Sequence, residues 1–346
     1  MCIRDRYRLK ATEILLSGKG DEVFKKGDKN NWDIDKILTE LNDLAKKYKG
    51  LPMLARTHGQ SASPTTFGKE MRVFAARIEN QLKILKSQKI QAKLNGATGN
   101  YNAHVAAYPK INWINFSKKF ISRLNKKNAV MKLEANLITT QIECHDSYVA
   151  LFDTIRRINT ILLDFNQDMW RYISDGWVTQ KVQKTETGSS TMPHKVNPID
   201  FENSEGNLGL ANSLFEFFAR KLPISRLQRD LSDSTVERAF GAAMGHTLLA
   251  YTSLLKGLGK IDIHEVKIAQ ALTSHPEVIA EAIQTVLRRE NYPIPYEKLK
   301  DLTRGKTISL VDFQNFINSL DISPKLKQEL NKFTPESYIG LAAKLV

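Results

Sequence analysis

Hydroxyl, imidazole, ammonium and amide groups crowd into the stretch 188–198. Lys195 is a fixed cation, and Asn197 offers an amide donor two residues later, close to the hydroxyls of Ser189 and Ser190. A cation and hydrogen-bond donors at this spacing suit an anionic ligand, most simply a carboxylate. The alternative is a serine-rich turn that only joins two helices. The pairing of Lys195 with Asn197 favours the ligand site.

A second polar stretch, 55–64, contains His58 and precedes a helical pattern that begins near Phe67. Imidazole titrates near neutrality, so His58 is a candidate for proton transfer, although a lone histidine is more often structural. We expect this stretch to be a loop at the start of a helix, where exposed backbone N–H groups favour anions.

A third stretch, 225–238, is rich in arginine and serine. Guanidinium groups pair with phosphate in a bidentate manner, so these side chains could form a phosphate pocket. A capped helix start with surface arginines is the alternative. The residues concerned are Arg226, Arg229, Ser232, Ser234 and Arg238.

The composition is that of a globular protein, with 42% hydrophobic and 25% charged residues among 346. A formal net charge of +14 leaves three candidate partners: nucleic acid, an acidic membrane surface or a polyanionic small molecule. The basic residues are spread along the chain rather than gathered with aromatic residues, which argues against nucleic acid. No apolar run is long enough to cross a bilayer and Met1–Lys10 lacks the apolar centre of a signal peptide, so we expect a cytoplasmic protein.

Metal binding has little support in the sequence. Cys2 and Cys144 are the two cysteines, too few for a disulfide framework or a cysteine-rich metal site. Cys144, His145 and Asp146 are consecutive, but no second cluster of ligand types accompanies them. We therefore expect no metal.

Helical periodicity dominates the chain and strand signals are scarce, which predicts an all-α fold. The longest pattern covers 149–173, and another follows the 188–198 stretch, where Asn197 or Asp200 could cap a helix. The residues expected on the buried side of that helix are Phe201, Leu208, Leu210, Leu214, Phe217 and Phe218. We expect a helical-bundle domain over 1–258 and a smaller helical domain over 259–346. Long central helices of this kind must bury broad apolar faces against each other or against other subunits.

The stretch 188–198 resembles the signature loop of the fumarase/aspartase superfamily. Together with Arg56-Thr57-His58-Gly59-Gln60, Tyr101-Asn102-Ala103-His104 and Ser225-Arg226-Leu227-Gln228-Arg229-Asp230, it resembles the adenylosuccinate lyase family. The resemblance runs from about Leu51 to the C-terminus, with the motifs in the family's order. It implies a homotetramer with a long central helical bundle, active sites shared between subunits, and no cofactor. The implied reaction releases fumarate from adenylosuccinate, giving AMP, and from SAICAR, giving AICAR.

The resemblance also assigns roles to residues. His58 matches the general acid and Ser189 matches the general base, while Gln141 matches a substrate-binding glutamine. Further positions match contacts with the substrate carboxylates or with the nucleotide and its phosphate: Thr57, Ser190, Met192, Lys195, Asn197, Arg229, Ser234 and Arg238. The implied substrates are small polyanions, which fits the basic charge without nucleic acid or membrane.

One departure concerns the start of the chain. No counterpart of the family's N-terminal region, with its further active-site histidine, precedes Leu51, so we expect part of the usual site to be missing. The open alternatives are another fumarate-releasing lyase, such as argininosuccinate lyase or aspartase, and a helical assembly with impaired catalysis. Gln60-Ser61, where the family usually has proline after the glutamine, is a minor change.

Overall fold

The computed structural model describes residues 34–125, 131–181, 192, 194–293, 297, 299–300 and 308–346. The predicted base Ser189 and the predicted contact Ser190 lie outside these residues. The described fold is mainly α-helical, as predicted, and its β-structure consists of three two-stranded sheets. None of the described helices combines the length and apolar composition needed to cross a bilayer.

The α-helices are, in chain order, α1 (Ile34–Lys47), α2 (Phe67–Ser87), α3 (Asn102–Ala107), α4 (Trp113–Arg123), α5 (Asp146–Ser174), α6 (Ile199–Lys221), α7 (Ser232–Glu237), α8 (Phe240–Leu258), α9 (Glu265–Thr273), α10 (Ala280–Arg289), α11 (Leu310–Ser319) and α12 (Pro324–Leu330). Short 3-10 helices lie at Pro276–Ile279 and Ala342–Lys344. The strands are β1 (Pro52–Thr57), β2 (Gln60–Thr66), β3 (Lys89–Ala92), β4 (Lys132–Ala135), β5 (Val178–Gln180) and β6 (Ile261–Ile263). β1 pairs antiparallel with β2, and β3 pairs parallel with β4.

The chain forms two compact units that are each discontinuous in sequence. The described residues of the first unit fall within 34–40, 74–173 and 180–261, and those of the second within 41–73, 174–179 and 262–346. The expected division into 1–258 and 259–346 stays a prediction.

The core of the first unit is aromatic where α5, α6 and α8 pack. Phe152 of α5 lies with its ring centroid 5.4 Å from Phe215 and 5.6 Å from Phe218 of α6, and 4.9 Å from Phe240 of α8. α5 is 29 residues long and carries a continuous row of buried residues from Leu151 to Met169, as its periodicity predicts. These helices provide the rigid scaffold from which the polar segments extend.

The buried face of α6 agrees only in part with the predicted one. Three of the predicted residues are fully buried: Phe201, Leu208 and Phe218. Leu210 and Phe217 are 55% and 44% exposed, whereas Ala211 and Phe215 are fully buried. Apolar residues lie around much of this helix, so hydrophobicity alone does not identify the packed face. The exposed ones give α6 a second apolar surface.

The predicted cap of α6 is also wrong, because the helix begins after Pro198 without a side-chain cap. Asp200 instead lies in the first turn, where its carboxylate pairs with Lys260 at 2.6 Å and with Lys256 at 3.3 Å. Asp200 and Lys260 are 5% and 7% exposed. A buried ion pair therefore fixes the start of α6.

In the second unit, the β1–β2 hairpin follows the C-terminal end of α1. Tyr48 packs its ring edge against Phe67 at 5.6 Å, and the N–H of Gly68 donates to the carbonyl of Tyr48. A Cβ atom on Gly68 would lie 2.3 Å from the carbonyl oxygen of Ala45. Only glycine permits this close approach of α1 to the start of α2.

Candidate active site

In the first unit, three segments of irregular backbone come together: 93–101, 136–145 and 225–231. The N–H of Gln141 donates to the carbonyl of Gln228 over 3.2 Å. Gln141, which is predicted to bind substrate, therefore contacts the residue directly before Arg229, which is predicted to bind phosphate. The Gln141 and Arg229 side chains are both exposed, so both can reach a ligand.

The turn at the start of the arginine segment 225–238 is organised by Asp230. The carboxylate of Asp230 accepts hydrogen bonds from the hydroxyl and the N–H of Ser232 and from the N–H of Arg226. These bonds, led by that from the Ser232 hydroxyl, lower the pKa of Asp230 to about 2. Asp230 is thus ionised at neutral pH and orders the turn that leads into α7.

The three predicted phosphate-binding residues have different surroundings. Arg229 lies 3.9 Å from the carboxylate of Asp233, a loose ion pair. Ser234 lies in the short helix α7, and Arg238 is the exposed residue at its C-terminal end. The arrangement leaves both guanidinium groups accessible to an anion, which is the condition for bidentate phosphate binding.

His145, Asp233 and Glu237 offer ligand atoms within 4.8 Å of one another, and they form the metal-type cluster found among the described residues. His145 Nε2 lies 3.3 Å from Glu237, whereas its buried Nδ1 has no hydrogen-bond partner. A metal-bound histidine normally donates its other ring N–H to a carboxylate or carbonyl. The donor set therefore fits a metal poorly. The pair with Glu237 instead joins 136–145 to α7.

The described part of the signature stretch begins with Met192, followed by 194–198. The N–H of Lys195 donates to the carbonyl of Met192, forming a turn, and the Lys195 ammonium is exposed without an ion pair to any described residue. Asn197 is half-buried directly before α6. Both residues therefore lie just before the start of α6, which the buried Asp200–Lys260 ion pair anchors.

His58 lies at the tip of the β1–β2 hairpin in the second unit, so the expected loop at a helix start is wrong. Thr57 pairs with Gln60, and the two residues between them have positive φ, 53° for His58 and 75° for Gly59. Two left-handed residues make the tight turn that matches the twist of antiparallel strands. A two-residue turn ending in glycine was the sequence signal for this hairpin. His58 is exposed nine residues before α2.

The turn end of β1 is held by Arg56, which sequence reasoning left without a role. Its guanidinium pairs with Asp175 at 2.6 Å and lies 4.5 Å from the ring centroid of the buried Trp177. A charge-assisted hydrogen bond and a cation–π contact together fix the orientation of this strand end. Thr57 and His58 follow directly from this anchored residue.

Two family models match the chain. One is described as "Lyase" and matches residues 30–211, and the other is described as "Adenylosuccinate lyase C-terminal" and matches residues 225–339. Two solved structures share the fold with a TM-score of 0.66 each. They are the 3-carboxy-cis,cis-muconate lactonizing enzyme of Pseudomonas putida, 18% identical over 98% of this chain and 71% of that one, and the fumarate lyase of Mesorhizobium sp. BNC1, 16% identical over 99% and 72%.

Curated relatives are much more similar in sequence. The adenylosuccinate lyase of Haemophilus influenzae is 48% identical over 96% of this chain and 70% of its own length. That of Dictyostelium discoideum is 52% identical over 88% of this chain and 65% of its own length, and that of Escherichia coli strain K12 is 49% identical over 90% and 66%. The chain therefore spans about two thirds of the length of these relatives.

Proposed function

Because this chain belongs to the adenylosuccinate lyase family, we propose that it eliminates fumarate from adenylosuccinate to give AMP, and from SAICAR to give AICAR. The observation that supports the proposal is the hydrogen bond from the N–H of Gln141 to the carbonyl of Gln228, which brings the glutamine proposed to bind substrate close to the exposed Arg229. A ligand that carries both a polar group and a phosphate suits this pair of residues. Arginine, aspartate and malate, the ligands that would indicate another fumarate-releasing lyase, carry no phosphate.

In the proposed reaction, a base removes a proton from the carbon next to a carboxylate of the succinyl group. The electron pair of that C–H bond forms the new double bond, the C–N bond breaks, and an acid protonates the departing nitrogen. Fumarate and the amine are the products, so atoms and charges balance without a redox partner. The motif match gives the base role to Ser189 and the acid role to His58.

His58 is exposed at the tip of the hairpin. This position supports its role as an acid that contacts substrate at the surface of the second unit. The intermediate after proton removal carries extra negative charge on the carboxylate. Preorganised cations and donors stabilise such charge best, and Lys195 with Asn197 supplies one of each. Thr57, Ser190 and Met192 complete the carboxylate contacts by the same motif match, and Ser234 and Arg238 complete the phosphate contacts.

The protein acts as a homotetramer in this proposal, with active sites shared between subunits. Large apolar side chains on the outer faces of the long helices support it. These are Trp170 on α5, Leu210 and Phe217 on α6, and Leu249 on α8, which are 44–55% exposed in the single chain. Such surfaces on packed helices are typical of subunit interfaces.

The proposal is tested by incubating the purified protein with adenylosuccinate and measuring AMP and fumarate by chromatography. Equal amounts of the two products are expected, together with the mass of four chains in light scattering. Hydrolysis to other products, or AMP without fumarate, would contradict it.

A further inference from the structure

Lys93 follows β3 and directs its ammonium to three backbone carbonyls. Nζ lies 2.7 Å from the oxygen of Gly96, 2.9 Å from that of Thr140 and 2.6 Å from that of Gln141. An ammonium group has three donors and no acceptor, so these bonds saturate it. Its charge is paired with no carboxylate among the described residues.

The segment that Lys93 holds has no regular structure of its own. From Asn136 to His145 the backbone forms neither helix nor strand, so its polar groups depend on partners elsewhere. Gln141 has its N–H bonded to Gln228 and its carbonyl bonded to Lys93. Both backbone groups of the predicted substrate-binding residue are thus fixed from outside its segment.

The segment 93–101 is a rigid base for this contact. Asn95 is fully buried, and its amide donates to the carbonyl of Leu137 and the hydroxyl of Thr139. The Tyr101 N–H donates to the carbonyl of Asn95 over 2.7 Å. A Cβ atom on Gly99 would lie 2.0 Å from the carbonyl oxygen of Thr139, so the two backbones are in direct contact.

We propose that Lys93 is a positioning residue whose ammonium fixes the backbone of Gln141 against segment 93–101 and so holds the Gln141 side chain in place for substrate. The inference rests on the proposed function for the identity of the substrate, but not for the contact itself. Burial lowers the pKa of Lys93, in agreement with an ammonium partly withdrawn from water.

Hydrogen exchange tests the contact without any ligand. In Lys93→Met the amide of Gln141 should exchange about tenfold faster, because the segment loses the three hydrogen bonds from the Lys93 ammonium. Lys86→Met is the matched control, since Lys86 is exposed on α2 and its loss removes the same charge. Equal protection of Gln141 in both variants would overturn the proposal.

Steady-state kinetics test the consequence for substrate. Lys93→Met should raise KM for adenylosuccinate about tenfold and change kcat less than about threefold, because the groups that move protons are untouched. Lys93→Arg should resemble Lys93→Met, since a planar guanidinium cannot direct its donors as an ammonium does. Full rescue by arginine would show that the charge alone matters and would overturn the positioning role.

A double variant tests whether Lys93 affects substrate binding through Gln141. If Lys93 acts through Gln141, Lys93→Met combined with Gln141→Ala should be no worse than Gln141→Ala alone. Multiplying losses would contradict the proposal. Absence of turnover in the unaltered protein would instead contradict the proposed function, and the exchange experiment would still decide whether Lys93 fixes Gln141.

Discussion

The N–H of Gln141 donates a hydrogen bond to the carbonyl oxygen of Gln228 over 3.2 Å. This bond joins two segments that are distant in sequence and irregular in backbone. It brings Gln141, which is predicted to bind substrate, close to Arg229, which is predicted to bind phosphate. The scaffold beneath them is the aromatic core of α5, α6 and α8.

Arg229 and Arg238 should recognise the phosphate of the nucleotide. Arg229→Met or Arg238→Met should weaken AMP binding by about 1.5–3 kcal/mol each, the usual loss for a hydrogen bond to a charged group. Adenosine, which lacks the phosphate, should bind equally to all variants in calorimetry. Arg220→Met is the control, because Arg220 is 73% exposed on α6 and pairs only loosely with Glu216. Equal losses for AMP and adenosine would contradict a phosphate role.

His58 should be needed for turnover and not for folding. We expect His58→Asn to lower kcat by about 10²–10⁴, the usual contribution of general acid catalysis. Asparagine tolerates the positive φ of this position, so the hairpin is retained and the thermal midpoint should not change. Normal turnover in His58→Asn would remove His58 from the mechanism.

Gly59→Ala, by contrast, should lower the thermal midpoint, because alanine at a φ of 75° is strained.

The sequence predicted the helices well and the contacts between segments poorly. α5 was recognisable because buried residues recur at the helical period over its whole length. The β1–β2 hairpin was missed because β2 is rich in small polar residues, and its only clear signal was the turn at His58–Gly59. For α6 periodicity identified only part of the buried face, because apolar residues such as Phe217 also occupy the exposed side.

The site was predictable only as a set of motifs. Gln141, Arg229 and Lys195 were each identified from motif positions, and the structure joins the segments of the first two. Lys93 has no motif that would indicate its three carbonyl partners, because such contacts depend on tertiary structure. The same is true of Glu237 beside His145.

The Asp200–Lys260 pair should stabilise the start of α6. Lys260→Met should lower the free energy of unfolding by about 3 kcal/mol, because Lys256 is then the one cation among the described residues that still pairs with the buried carboxylate. Lys256→Met should cost about 1 kcal/mol or less, since the Lys256 side chain is 53% exposed. Urea unfolding measures both. Replacing both partners, Asp200→Leu with Lys260→Met, should recover most of the loss; a double variant as unstable as Lys260→Met would contradict this account.

Tyr338 should make the stability of the protein sensitive to alkaline pH. Burial and a hydrogen bond from its hydroxyl to Glu281, 2.9 Å long, raise the pKa of Tyr338 to about 12. The folded state therefore favours the protonated phenol, and this contribution is complete below pH 10 and is lost as the pH rises through about 12. An absorbance titration should show a late-ionising phenol that is missing in Tyr338→Phe. An unchanged curve in that variant would assign the late phenol to another tyrosine.

The most direct test of the account is the rate at which the purified protein converts adenylosuccinate, followed by absorbance and by product analysis, in the unaltered chain and in Ser189→Ala. We predict AMP and fumarate in equal amounts at an ordinary enzymatic rate, roughly 1–10³ per second, and a loss of at least about a hundredfold in Ser189→Ala. No conversion by the unaltered protein, or the same rate in Ser189→Ala, would contradict the proposed elimination.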